Sequence, residues 1–314
     1  MSVLFSVVTL LLSLFVLVKS SDVSIKSCVK FARLTKISEL SVGFIFLAVI
    51  TSLPELSIGI ISSLKREGLL SVGNVIGSNI ANLCLVMGIG ALITNFYIKD
   101  KEIKKIESLL WMTTLIVFVC FMIETLWFMF GLLTLFFFLL FIQTSFERKI
   151  TVRPFRFYVT GLHTIESIKL FFMIVISVLL VVFSANFVTE SAITIVHALG
   201  ISEAVIGATI IAVGTSLPEL ALSLTSIRKK NIELVIGNMI GSNVTNVTLV
   251  LGATTIINPV ILNGVMRISC LFLIFVNFLF LYLIKQNNFE KKDGIILLLV
   301  YCGFLILMGY SHLF

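Results

Sequence analysis

Residues 38–88 read SELSVGFIFLAVITSLPELSIGIISSLKREGLLSVGNVIGSNIANLCLVMG, and residues 202–252 read SEAVIGATIIAVGTSLPELALSLTSIRKKNIELVIGNMIGSNVTNVTLVLG. A constant offset of 164 aligns the two without a gap, pairing Glu55 with Glu219, Ser78 with Ser242 and Asn82 with Asn246. About half of the aligned positions are identical, so the chain carries two copies of one unit. The same offset pairs the apolar N-terminal run with the run after Lys169, and the first span is therefore expected to be retained instead of removed as a signal.

Composition says where these units live. Of 314 residues, 59% are hydrophobic and 12% charged, whereas a soluble domain carries about a quarter charged residues. Apolar runs predict ten spans, at roughly 2–18, 40–63, 69–94, 108–124, 125–143, 168–199, 202–227, 233–257, 265–285 and 293–311. The run from Leu109 to Gln143 would reach ~50 Å as one helix, so a tight hairpin at Glu124 and Thr125 is expected to divide it. With these spans, 20 of the 23 Lys and Arg residues fall in connections on one side, which the positive-inside rule makes cytoplasmic. Both termini then face outward, and the net charge of +7 reflects insertion direction, with no nucleic-acid partner.

Five spans separate equivalent points of the two copies, so the second crosses the membrane in the opposite sense. The expected fold is an all-α integral membrane protein, ten transmembrane helices as two inverted five-helix repeats with helices 2 and 7 broken. Its parts are 1–143, the first repeat; 144–167, a short cytoplasmic linker; and 168–314, the inverted repeat. Inverted repeats recur in transporters, which hold substrate near the midplane where the copies meet.

The breaks come from Pro54 and Pro218, which lie inside apolar spans. Each removes an amide donor and collides with the carbonyl four residues earlier, that of Ile50 or Gly214. Non-helical backbone at membrane depth is tolerated only where protein buries it or it lines a cavity. Glu55 and Glu219 stand one residue beyond the prolines and are the acids placed deepest in the membrane, where ionised groups mark function. Ser52 shares a helical face with Glu55, as Ser78 does with Asn82, and the second copy repeats this with Ser216, Glu219, Ser242 and Asn246. Gly73, Gly77, Gly237 and Gly241 read as packing faces. Asn74, Asn79, Asn238 and Asn243 divide evenly between site and scaffold. Carboxylates, hydroxyls, amides and carbonyls are hard donors, suited to Ca2+ or Na+ and not to zinc or copper.

The five cysteines stand singly, with no C-x-x-C pair, and imply neither disulfides nor zinc. No nucleophile and base pair, no paired aspartates and no histidine cluster is present, so an enzyme is not expected, and no cofactor is called for.

The doubled TSLPEL and GSN-x-x-N motifs in ten spans resemble the sodium/calcium exchanger family of the cation/calcium antiporters, and in particular its short prokaryotic members. That resemblance implies that Glu55, Glu219 and the carbonyls of Thr51 and Thr215 bind Ca2+. It likewise implies that Ser52, Ser78, Ser216 and Ser242, with the glutamates and the carbonyls of Ala48 and Ala212, bind Na+. Spans one and six would slide to open the site to alternate sides. The implied activity is exchange of Ca2+ for Na+ across the cell membrane by a monomer, with H+/Ca2+ exchange on the same glutamates as the alternative. Two departures stand out. Ile50 replaces the glycine that Gly214 keeps, and Asn246 occupies a position where potassium-dependent members carry an acid.

Overall fold

The computed structural model describes residues 3–35, 38–66, 68–145, 161–198, 216–286 and 288–310. In chain order the helices are α1 (Val3–Thr35), α2 (Glu39–Thr51), α3 (Leu53–Leu64), α4 (Gly68–Ile93), α5 (Asp100–Met122) and α6 (Phe128–Ser145). The second half continues with α7 (Gly161–Ala198), α8 (Leu217–Arg228), α9 (Ile232–Ile257), α10 (Gly264–Ile284) and α11 (Lys291–Tyr310). Among the described residues four two-residue strands lie between helices: β1 (Phe96–Tyr97), β2 (Thr125–Leu126), β3 (Val260–Ile261) and β4 (Asn288–Phe289). Among the described residues seven helices are long and apolar enough to cross a membrane, and the bent pair α2–α3 makes an eighth span. The other two expected spans correspond to α11 and to α8, the first half of whose span lies outside the described residues.

Two expected boundaries are corrected. The first helix does not stop at residue 18 but runs on to Thr35, and α7 starts at Gly161 instead of 168. No proline interrupts either stretch. Charged residues one turn apart support a helix instead of ending it, as in the Asp22–Lys26 ion pair at 2.7 Å. The hairpin at Glu124 and Thr125 is found where expected, between α5 and α6.

The packing is two-fold. At the offset of 164, β1 corresponds to β3 and β2 to within one residue of β4. Each strand pairs across the repeats with the other's counterpart: Phe96 opposite Phe289, and Leu126 opposite Val260. The helices exchange in the same way. α6 packs on the last turns of α9 and α11 on those of α4, while α5 packs on α10 and α1 on α7. Even backbone detail repeats, since Arg66 (φ 64°) and Lys230 (φ 60°) end α3 and α8 in the left-handed conformation common after helices.

At the centre run α4 and α9. Close approach here depends on small residues: a Cβ on Gly237 would lie 2.5 Å from the Leu40 carbonyl oxygen, and one on Gly241 would lie 2.6 Å from the Ala48 Cβ. α2 therefore crosses α9 nearly backbone to backbone, as the glycine spacing predicts. On the α4 side, Gly73 approaches the Met266 Cε at 3.2 Å and Gly77 meets nothing within 4 Å among the described residues.

Candidate functional site

The site begins at the breaks. Ser52 (φ −80°, ψ 5°) and Ser216 (φ −92°, ψ 5°) both sit in the bridge region between α and β conformations. Pro54 has no amide to return to the carbonyl of Ile50, so α2 and α3 bend by 41° at Ser52. Glu55 and Glu219 follow in the first turns of α3 and α8, where unpaired amides and the helix dipole favour negative charge. Both carboxylates are buried, at 1% and 0% exposure, and the Ser242 hydroxyl that donates to Glu219 lies 3.3 Å from the hydroxyl of Thr51, one turn before Glu55.

Facing them are α4 and α9, each loosened by a π-helical segment, Ala81–Val86 and Asn246–Val250. Such π turns are rare and concentrate at functional sites. Asn82 and Asn246 stand on them, one turn after Ser78 and Ser242. The Ser78 Oγ donates to Glu55 Oε1 at 3.3 Å, and the Ser242 Oγ donates to Glu219 Oε1 at the same distance. Asn82 and Asn246 turn their amide nitrogens away, donating to the Oδ1 of Asn243 (3.0 Å) and of Asn79 (3.1 Å).

What remains inside is a set of oxygens. Ser52 Oγ, Glu55 Oε2 and Asn82 Oδ1 are fully buried with no hydrogen-bond partner among the described residues, and so are their repeat counterparts Ser216 Oγ, Glu219 Oε2 and Asn246 Oδ1. Buried polar atoms without partners are few in native proteins and call for an explanation such as a bound ion. Here the same three atoms recur in each repeat, which makes them a property of the doubled unit and not of one local environment. Among the described residues no group of three or more His, Cys, Asp or Glu side chains could hold a metal. Any cation held here therefore meets two carboxylates supplemented by neutral oxygens, a hard-ion environment.

The remaining expected residues divide. Thr51 and Ala48 are buried beside the break, with the Thr51 Oγ1 donating to the Ala48 carbonyl at 3.2 Å and lying 3.3 Å from Ser242 Oγ. Thr215 and Ala212 lie outside the described residues. Of the four asparagines left undecided by sequence, Asn79 and Asn243 are scaffold, each holding the other's backbone (below). Asn238 Oδ1 sits 3.5 Å from the Thr51 hydroxyl that donates to it, linking α9 to the break. The π segments and this asparagine lattice went unrecognised in the sequence. The only signal for the lattice was that GSN-x-x-N repeats its first asparagine as faithfully as its second.

Comparison with known proteins settles the family. The family model described as sodium/calcium exchanger protein matches residues 5–146 and again residues 169–310. The chain belongs to the sodium/calcium exchanger family. Sodium/calcium exchanger MaX1 of Methanosarcina acetivorans is 28% identical, over 96% of this chain and 97% of that protein. Inner membrane protein YrbG of Escherichia coli is 29% identical over 80% of this chain and 79% of its own. A solved structure of the sodium-calcium exchanger NCX_Mj, soaked with Na+ and Ca2+, superimposes with a TM-score of 0.83 at 27% identity, covering 96% of this chain and 97% of that one. As a member of this exchanger family, the chain is an integral membrane transporter, not an enzyme.

Proposed function

We propose that this exchanger carries Ca2+ one way across the cell membrane in return for Na+ the other way, by alternating access to the site between α3, α4, α8 and α9. The observation that carries the proposal is the set of six buried oxygens without donors among the described residues, three from each repeat. Ca2+ takes six to eight oxygens. Glu55 and Glu219, with the carbonyls of Thr51 and Thr215, are assigned to Ca2+. Ser52, Ser78, Ser216 and Ser242, with the glutamates and the carbonyls of Ala48 and Ala212, are assigned to Na+, and Asn82 and Asn246 complete the ring. The similarity to NCX_Mj and MaX1, both sodium/calcium exchangers, supports the choice of ions.

The charges give the coupling its logic. Two ionised glutamates balance one Ca2+, whereas three Na+ would leave one positive charge, and exchange at that ratio would respond to membrane voltage. Neither state leaves the carboxylates facing each other empty, so an unloaded carrier is disfavoured and leak is suppressed. The long helices α1 and α7, packed on each other at the periphery, are the elements assigned to sliding. The connections rich in Lys and Arg face the cytoplasm, both termini face outward, the two repeats flank a cytoplasmic linker that gives way to α7 at Gly161, and the monomer is the working unit.

The test is uptake of radioactive calcium into proteoliposomes loaded with sodium. An outward sodium gradient drives uptake and choline-loaded vesicles show none. Uptake driven instead by a pH gradient in sodium-free buffer assigns the glutamates to proton coupling and overturns the sodium assignment.

A further inference from the structure

A basic cavity and an apolar groove lie end to end along the seam between α1 and α7. The cavity, about 560 Å3, is walled by Lys26, Lys30, Glu166 and Lys169. The groove, about 360 Å3, begins at Met173, which lines both, and runs between Val23 and Phe15 on one side and Ile176 and Leu180 on the other. Lining positions rise along α1 as they fall along α7, so one stripe of each antiparallel helix faces the seam.

The charges do not cancel. Lys30 pairs with Glu166 at 2.6 Å, and Lys26 with Asp22 at 2.7 Å. Asp22 is shared with Lys229, at 2.5 Å from α8's end. Lys169 makes no ion pair among the described residues, and Lys19 lies over the Phe15 ring at 5.7 Å. The seam therefore keeps an excess of positive charge at one end. The groove has no such demand, because the hydroxyls of Ser20 and Ser177 return to their own helices, at the carbonyls of Val16 (2.6 Å) and Ile174 (3.0 Å). Phe15 and Ile176 are 62% and 56% exposed, walls that no other described residue covers.

We infer that this seam binds an anionic phospholipid, its phosphate held by Lys26, Lys30 and Lys169 and an acyl chain laid in the groove. A free phosphate would satisfy the cavity but not the groove; a neutral lipid would satisfy the groove but not the lysines. The dimensions agree with a lipid of one leaflet. Phe15 to Lys30 spans ~22 Å of helix, and one leaflet with its headgroup layer is about half of 40–45 Å. In the proposed orientation the basic end faces the cytoplasm, the side on which anionic lipids concentrate; binding itself does not depend on that orientation or on the transported ions.

The test uses the full chain, purified in neutral detergent and stripped of lipid, with native mass spectrometry after adding phosphatidylglycerol or phosphatidylcholine of the same acyl composition. One phosphatidylglycerol is retained in preference to phosphatidylcholine. Lys169→Gln and Lys26→Gln each reduce that preference by about fivefold, the effect of one lysine near an anionic surface. Lys291→Gln, on a different helix, leaves it unchanged. Ile176→Trp, which fills the groove and keeps every lysine, also lowers retention, so the result does not rest on charge variants alone. Equal retention of the two lipids, or lysine variants with unchanged preference, overturns the proposal. So does displacement by inorganic phosphate with no effect of Ile176→Trp, which would assign the cavity to a soluble anion.

Discussion

Asn79 and Asn243 hold each other across the centre of the molecule by the same bond made twice. The Nδ2 of Asn79 donates to the backbone carbonyl of Asn243 at 3.1 Å, and the Nδ2 of Asn243 donates to the carbonyl of Asn79 at 3.3 Å. Their side-chain oxygens then take the amides of Asn246 and Asn82. Four asparagines, two from each repeat, thus form a closed lattice whose consequence lies at the site: with their nitrogens occupied, Asn82 and Asn246 can offer only oxygen inward. The lattice turns an amide, which could present either end, into a fixed acceptor.

Removing one side of that lattice is therefore costly. Asn79→Ala deletes a buried donor and leaves the Asn243 carbonyl and Asn246 amide without partners, an expected loss of about 1–3 kcal/mol. Asn243→Ala does the same by symmetry, and the double variant loses less than the sum because the two share one network. Thermal unfolding of purified protein in detergent measures all three.

The crossing of α2 over α9 gives a second expectation. Gly241→Ala puts a Cβ at 2.6 Å from that of Ala48 and 2.9 Å from the Phe44 backbone. Overpacking at such a contact destabilises by about 1–3 kcal/mol, and moving α2 displaces Ser52. Gly303→Ala, with nothing within 4 Å among the described residues, is expected to leave unfolding and exchange unchanged.

In the proposed site, Ser52 and Ser216 are the residues that tell the two ions apart. Their unpaired hydroxyl oxygens are assigned to Na+ and not to Ca2+, so Ser52→Ala should raise the Na+ concentration that half-inhibits Ca2+ binding. A loss of about 1.4 kcal/mol in Na+ binding corresponds to about tenfold. Calcium affinity in sodium-free buffer should change little, and titration of bound radioactive calcium with Na+ reads both quantities.

Asp22 ties the long helix α1 to the end of α8, taking Lys229 Nζ on both its carboxylate and its backbone carbonyl. If α1 slides, this tether belongs to one conformation. Because the pair is partly exposed, it stabilises by no more than about 1 kcal/mol. Asp22→Asn should thus shift the ratio of inward to outward exchange by at most about fivefold. The charge swap Asp22→Lys with Lys229→Asp should restore it, as flux measured in both directions across proteoliposomes will record.

Most of this architecture could be read from the chain because the repeat is strong. Glu55, Ser52, Ser78 and Asn82, with their counterparts, stand out as polar groups kept twice in an apolar setting; the structure buries all of them and sets Ser78 on Glu55 and Ser242 on Glu219. The long reach of α1 and α7 was hidden because charges spaced by four residues look like a connection while stabilising a helix. The π segments could not be read because nothing in ANLCLV or NVTLV separates a π turn from an α turn; the wider turn becomes visible only in the hydrogen bonds. Two-residue strands are too short to show alternation, so β1 to β4 carried no signal either. The role of Asn79 was indistinguishable from that of Asn82 until the direction of their amides was known.

The most direct test of the site is equilibrium binding of radioactive calcium to the purified protein in sodium-free buffer, with Glu55→Gln and Glu219→Gln beside the unsubstituted chain. One saturable calcium per molecule, lost in each variant while the variants still unfold cooperatively on heating, is the expected result, since one carboxylate cannot balance a divalent ion at this depth. Calcium bound with unchanged affinity by either variant would contradict it.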